Sequence, residues 1–214
     1  MIDVKGENIE EVVSKAIMAV FESCDTVSDL EIERESAAVI SLCYLNGVIP
    51  AISVKDSIFI RNNDVGLSKV LVNDNSGTEL SYWRDQVIDG MMVERFIDHL
   101  SRYPYSRRAL IDLWRDSDFS RLEEGAACIT QIYFRIKGGK LEMHTHARAN
   151  DVINCLLFDL QIMQYIHTSV ASGLNLIVGE HIHFVDALHL YKKDKDKIQE
   201  IIKSGFLSEG YSKI

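Results

Sequence analysis

The chain has 214 residues, 47% of them hydrophobic, which is enough to bury a sizeable core, and a single domain over 1–214 is the expectation. With 23 basic against 32 acidic residues the net charge is −9, which argues against duplex nucleic acid as a main ligand but leaves room for a small anion held by local arginines. The opening MIDVKGENIEEVV lacks a leader pattern and no apolar run reaches the roughly 18 residues of a membrane span, so no membrane partner is expected.

Residues 8–22, NIEEVVSKAIMAVFE, carry Ile9, Val12, Val13, Ala16, Ile17, Val20 and Phe21 at helical spacing, with Glu10 and Glu11 suited to a first turn. From about 28 to 72 the text turns to short β-branched runs, SAAVISLCYL, AISVKDSIFIRNN and KVLVND, broken by Asn46-Gly47, Pro50 and Asn62-Asn63-Asp64. Several strands of one sheet are predicted there, with a polar turn at Asn73–Gly77. Helical period returns over 82–101, followed by PYSRR and the strand-like ALIDLW. Segment 115–127 reads as a polar connection. Residues 128–136 and 140–147 read as two strands of a hairpin turning at Gly138-Gly139. A long, largely apolar helix is predicted over 151–172, strands over 174–178 and 181–186, and a charged terminal helix in YKKDKDKIQEIIK. No repeat or linker interrupts this mixture of α and β.

The stretch from Cys128 to Tyr191 concentrates the chemistry. It holds a thiol, an arginine–aspartate motif (Arg148-Ala149-Asn150-Asp151), an acid in an apolar run (Asp159) and His189-x-Tyr191. His189 and Tyr191, two apart on a strand, share a face. From residue type alone Cys128 reads equally as a small buried apolar side chain, and Asp159 as the N-cap of a helix beginning LQIMQYI. His144/His146 and His181/His183 are each spaced i, i+2, but no cysteine or carboxylate completes a ligand set, and no metal is expected. Cys24, Cys43, Cys128 and Cys155 show no CxxC spacing, which fits neither zinc nor a disulfide framework and suits a reducing cytoplasm.

These residues resemble the thymidylate synthase and pyrimidine nucleotide hydroxymethylase superfamily, most strongly over 103–191. PYSRRALIDLW resembles its Ser-Arg-Arg strand, with Trp114 six residues after Arg108. Cys128 lies twenty residues before Arg148, Asp159 eleven after it, and His189-x-Tyr191 thirty further on, with Gly139-Lys140-Leu141 in register between. The residues around the cysteine differ from the family pattern (Ala127, Ile129, Tyr133), as do Ala149 and Asp186-Ala187, and the family's early glutamate has no counterpart before residue 80.

The resemblance implies an α+β, thymidylate synthase-like fold: a mixed β-sheet packed against helices, with one sheet face used for dimerisation. It implies an enzyme in which Cys128 adds to C6 of a pyrimidine nucleoside monophosphate and C5 then takes a one-carbon unit. Arg107, Arg108 and Arg148 become phosphate ligands, with Arg107 and Arg108 reaching the nucleotide of a second copy across a homodimer interface. His189 and Tyr191 hold the sugar, and Asp151 lies near the pterin of 5,10-methylenetetrahydrofolate. Asp159 stands where the family has an asparagine that reads the pyrimidine edge. A protonated carboxyl, kept neutral by burial, complements cytosine through O–H to N3 and C=O to the 4-amino group. The expected activity is therefore hydroxymethylation of dCMP or CMP. The alternatives are thymidylate synthesis on dUMP and a nucleotide-binding protein of the same fold that has lost catalysis.

Overall fold

A computed structural model describes residues 1–23, 31–44, 91–114, 118, 128–196 and 198–199. Its elements are β1 (Ile2–Gly6), α1 (Ile9–Ser23), β2 (Ile32–Leu42), α2 (Met92–Arg102), β3 (Leu110–Asp112), β4 (Ile129–Lys137), β5 (Lys140–Ala147), β6 (Asn150–Asp151), α3 (Leu156–Gly173) and β7 (Ile177–Tyr191), followed by a short 3-10 turn at Lys192–Asp194. The strands predicted in AISVKDSIFIRNN and KVLVND, the turn at Asn73–Gly77, the first half of the helix over 82–101 and the connection over 115–127, apart from Asp118, lie outside the described residues.

The strands form one mixed sheet in the order β1-β2-β7-β5-β4-β3, with β6 paired to β7. β1/β2, β5/β7 and β6/β7 run parallel; β2/β7, β4/β5 and β3/β4 run antiparallel. Alternation sorts the side chains. Ala38, Ile40 and Leu42 of β2, Ile132 and Phe134 of β4, and Leu141 and Met143 of β5 are buried beneath the helices. α1 begins where Asn8 Oδ1 accepts the Glu11 N–H at 2.8 Å, a side-chain cap that satisfies one orphan donor of the first turn. It buries Ile9, Val12, Val13, Ala16, Ile17 and Val20, the predicted stripe. α2 buries Met92, Phe96 and Leu100, with Phe96 edge-on to Phe134 at 4.7 Å between centroids. The sheet packed against helices that the sequence implies is thus present.

Three boundaries differ from expectation, each for a local reason. α3 starts at Leu156 rather than 151. Asp151 turns its carboxyl back, Oδ1 accepting the N–H groups of Ile153 (2.9 Å) and Asn154 (3.1 Å), and this turn competes with the helix. The two strands predicted over 174–186 are one long strand, β7, running on to Tyr191. Gly179 sits in it without breaking it, because a Cβ there would lie 2.7 Å from the Leu141 carbonyl oxygen; close approach to β5 requires glycine. β1 lies in an opening stretch for which the sequence predicts no element, yet its five residues alternate buried and exposed and pair in parallel with β2. The hairpin is as predicted: Gly138 (φ 57°) and Gly139 (φ 76°) supply the two left-handed residues that a two-residue turn needs.

The outer face of the sheet carries Tyr133, His144 and Phe184. The Tyr133 and His144 rings lie 5.7 Å apart, those of His144 and Phe184 6.4 Å apart, and Phe184 is 39% exposed. Among the described residues, no helix is long and apolar enough to cross a membrane.

Candidate active site

The β4–β5 hairpin explains the twenty-residue spacing. Its register pairs Ile129 with Ala147, so the residues just outside, Cys128 and Arg148, meet. The Arg148 N–H donates to the Cys128 carbonyl at 2.9 Å. The thiol is half-buried, while Arg148 is exposed and its guanidinium lies 5.5 Å from the centre of the Trp114 ring. Trp114 arrives from the end of β3, where the Leu113 N–H donates to the Thr130 carbonyl at 2.7 Å.

Beyond Arg148 the chain pairs with β7. Asp151 stands opposite His189, and the Val152 N–H donates to the His189 carbonyl at 3.0 Å. His189 is buried, with Nδ1 3.0 Å from the Ala187 carbonyl. A carbonyl only accepts, so Nδ1 carries a hydrogen. The His189 and Tyr191 rings meet edge to face at 4.9 Å, as their shared strand face requires. Partial burial raises the Tyr191 phenol above its ordinary pKa, and the negative charges of Asp151, Cys155, Cys128 and Glu31 add to the effect.

Asp159 is buried in the first turn of α3 and is not its N-cap; Cys155 holds that position, without a side-chain capping bond. The capping reading of Asp159 is thereby corrected: the turn made by Asp151 delays the helix, yet the helix still begins three residues ahead of Asp159. Asp159 Oδ2 accepts from Asn150 Nδ2 at 2.9 Å. Sequence reasoning does not single out Asn150. The signal that could have found it is its place inside the arginine–aspartate motif, next to a residue that pairs with His189.

Asp151 Oδ2 accepts from Asn154 Nδ2 at 2.7 Å, and the same amide donates to Asp194 at 3.0 Å. Arg107 and Arg108 lie apart from this cluster. They are exposed in the connection from α2 to β3, where Ser106 Oγ accepts the Arg108 N–H at 3.0 Å and lies 2.7 Å from His99 Nε2. No group of three or more His, Cys, Asp or Glu side chains among the described residues is disposed to hold a metal ion. The two histidine pairs go to opposite faces. His146 reaches Asp186 at 3.1 Å on the outer face, whereas His181 and His183 are wholly buried.

The described cluster thus sets a thiol, a guanidinium, a buried carboxyl, an imidazole and a phenol at one end of the sheet. These are the residue types that binding and attacking a phosphorylated, hydroxyl-bearing ring would require. The family model described as thymidylate synthase matches residues 71–207. The chain is 26% identical over 119 residues to the thymidylate synthase of Lactococcus lactis subsp. lactis, covering 52% of this chain and 42% of that protein. It is 27% identical over 142 residues to that of Oenococcus oeni, covering 64% and 44%. With that of Streptococcus agalactiae serotype Ia the identity is 24% over 176 residues, covering 72% and 62%. The chain thus spans about half the length of these relatives.

Proposed function

The chain belongs to the thymidylate synthase family, and from that premise we propose that it transfers a one-carbon unit to C5 of a pyrimidine nucleoside monophosphate. The observation that carries the reading is the strand register that joins Cys128 to Arg148, with Trp114, His189 and Tyr191 on the neighbouring strands. The Cys128 thiolate adds to C6, and the electron pair moves to C5, which becomes the nucleophile. Arg148 holds the phosphate and, as a nearby cation, favours the thiolate. His189 Nε2 and the Tyr191 hydroxyl take the sugar hydroxyl.

When bound, 5,10-methylenetetrahydrofolate supplies the carbon. Asp151 fits a pterin in kind. Its oxygens already accept three N–H bonds, from Ile153, Asn154 and the Asn154 amide, which leaves about one of a carboxylate's four acceptor positions for a ligand.

Two substrates compete. The relatives' names favour thymidylate synthesis, on dUMP. Asp159, buried where an amide is expected, favours a cytosine nucleotide (CMP or dCMP) and hydroxymethylation, because a neutral carboxyl donates to N3 and accepts from the 4-amino group. Asp159→Asn separates the two readings: it shifts preference toward uracil if the carboxyl reads the base, and an unchanged preference removes that role.

A homodimer over the outer sheet face is part of the proposal, with Arg107 and Arg108 reaching a second copy's nucleotide. The exposed Phe184 and the buried Nε2 of His144, which has no partner among the described residues, support it. Release of tritium from C5-labelled dCMP, CMP, dUMP and UMP tests the activity, since exchange at C5 requires the C6 adduct. Release that vanishes in Cys128→Ala supports the proposal. Nucleotide binding without release, in folded protein, would favour a binding protein.

A further inference from the structure

Asn154 has no part in the chemistry above, yet it joins two segments next to the proposed site. Its side-chain amide carries two N–H groups, and both are engaged by acids. Nδ2 donates to Asp151 Oδ2 at 2.7 Å and to Asp194 Oδ2 at 3.0 Å. An ionised carboxylate only accepts, so the amide nitrogen, and not its oxygen, must face both acids. One amide thus stands between two carboxyl groups, one of them 40 residues further along the chain.

The two acids are held differently on their far sides. Asp151 is buried, and its Oδ1 accepts the N–H groups of Ile153 at 2.9 Å and Asn154 at 3.1 Å. Asn154 therefore grips one carboxyl twice, by its backbone on Oδ1 and by its side chain on Oδ2. Pinning both oxygens fixes the plane of the carboxyl, which a bond to one oxygen does not. Asp194 ends the short 3-10 turn after Tyr191. That turn is fastened to the start of β2, where the Lys192 N–H donates to the Glu31 carbonyl at 2.9 Å and Lys195 Nζ to Glu33 Oε1 at 2.6 Å. Two charge-assisted bonds through Asn154 thus run from this turn to the carboxylate that pairs in strand register with His189.

We infer that Asn154 is a positioning residue: it sets the plane of the Asp151 carboxyl for the one-carbon donor and fastens it, through Asp194, to the turn that follows His189-x-Tyr191. The inference rests on the reading of Asp151 as a pterin ligand. It adds to that reading the means by which the carboxyl is aimed, and a role for the chain beyond Tyr191.

The test uses the full-length protein and whichever of dCMP, CMP, dUMP and UMP releases tritium from C5. Kinetics with 5,10-methylenetetrahydrofolate are measured beside calorimetry of the nucleotide alone and of tetrahydrofolate with nucleotide present. Tetrahydrofolate carries the pterin but no carbon to transfer. Asn154→Ala is expected to raise the donor KM and the tetrahydrofolate Kd about tenfold, the effect of losing a hydrogen bond to a charged group, while kcat and the nucleotide Kd stay within about twofold. Asp194→Ala, which leaves residue 154 in place, should raise the same two constants about threefold or more, and Asp194→Asn, whose amide oxygen still accepts, should restore them. The two alanine changes together should lose little more than Asn154→Ala alone, because they break one path. A donor KM and tetrahydrofolate Kd within about twofold of wild type in Asn154→Ala, or equal losses of nucleotide and folate affinity, would overturn the positioning role. If Asn154→Ala does not fold, the two Asp194 variants decide, with the same expectation and the same refutation. A wild type that releases no tritium, or that has no affinity for tetrahydrofolate, overturns the folate-dependent reading itself and this inference with it.

Discussion

Among the described residues, two of the places where polar side chains enter the interior make an instructive contrast. At the strand ends, Arg148 is exposed, His189 Nδ1 donates to the Ala187 carbonyl, and Asn150 Oδ1 has no partner among the described residues. In mid-sheet, Thr145 Oγ1 lies 2.9 Å from His181 Nε2 and 2.7 Å from His183 Nδ1, and His167 Nε2 donates to the Leu141 carbonyl at 2.7 Å. The Thr145 hydroxyl serves two of these rings and the Leu141 carbonyl the third, while His167 Nδ1, His181 Nδ1 and His183 Nε2 have no partner among the described residues, and all four side chains are almost wholly buried. A hydroxyl has one hydrogen, so Thr145 donates to at most one of the two imidazoles and accepts an N–H from at least one. The first region is the one proposed to receive a ligand; the second is a polar joint inside the fold.

Breaking the first region should abolish function and spare the fold. Cys128→Ala is expected to lower C5 exchange by about a thousandfold or more, with thermal unfolding nearly unchanged. Breaking the second should do the reverse. Burial lowers His167 and His183 to about 4 and His181 well below its ordinary value, with the neighbouring imidazoles adding to the effect for His181 and His146 for His183. The sign follows from linkage. Below pH 6.5 the unfolded chain binds protons that the fold refuses, so stability declines as pH falls from about 6.5 toward 4. At pH 5 the loss is on the order of 2 kcal/mol per imidazole. Urea unfolding at pH 7.5 and pH 5 measures it, and His183→Gln should flatten the slope.

Thr145→Val keeps the shape and removes the bridging hydroxyl, which should cost about 2–4 kcal/mol in the same assay by stranding two ring nitrogens. On the outer face, Phe184→Glu should shift a dimer toward monomer by light scattering, without loss of secondary structure. The smallest effect belongs to the ion pair of Arg135 with Glu142, 2.5 Å apart with Arg135 41% exposed. Arg135→Ala should cost less than about 1 kcal/mol, as solvent screens it.

The two regions also differ in how far the sequence discloses them. The strand-end site is legible because its spacings follow from register: Gly138-Gly139 fixes the hairpin, and the hairpin fixes Cys128 against Arg148. His189 and Tyr191 follow from strand alternation. Asn150 escapes because its meaning lies in a contact with Asp159 nine residues on, across a turn that the sequence presents as helix. The histidine joint is illegible as such. Thr145 lies 36 and 38 residues from His181 and His183, and only the parallel pairing of β5 with β7 brings them together. The i, i+2 pattern places each histidine pair on one face but cannot say which pair faces the core.

The most direct measurement uses 5-fluoro-dCMP and 5-fluoro-dUMP with methylenetetrahydrofolate, followed by mass spectrometry of the denatured protein. Fluorine at C5 cannot depart as a proton does, so an adduct formed by attack at C6 is trapped on the attacking sulfur. The expected result is a mass gain on the peptide bearing Cys128, absent in Cys128→Ala and reduced in Arg148→Ala. Folded protein that forms no adduct with either nucleotide, or an adduct mapping to Cys43 or Cys155, would contradict the assignment of Cys128 as nucleophile.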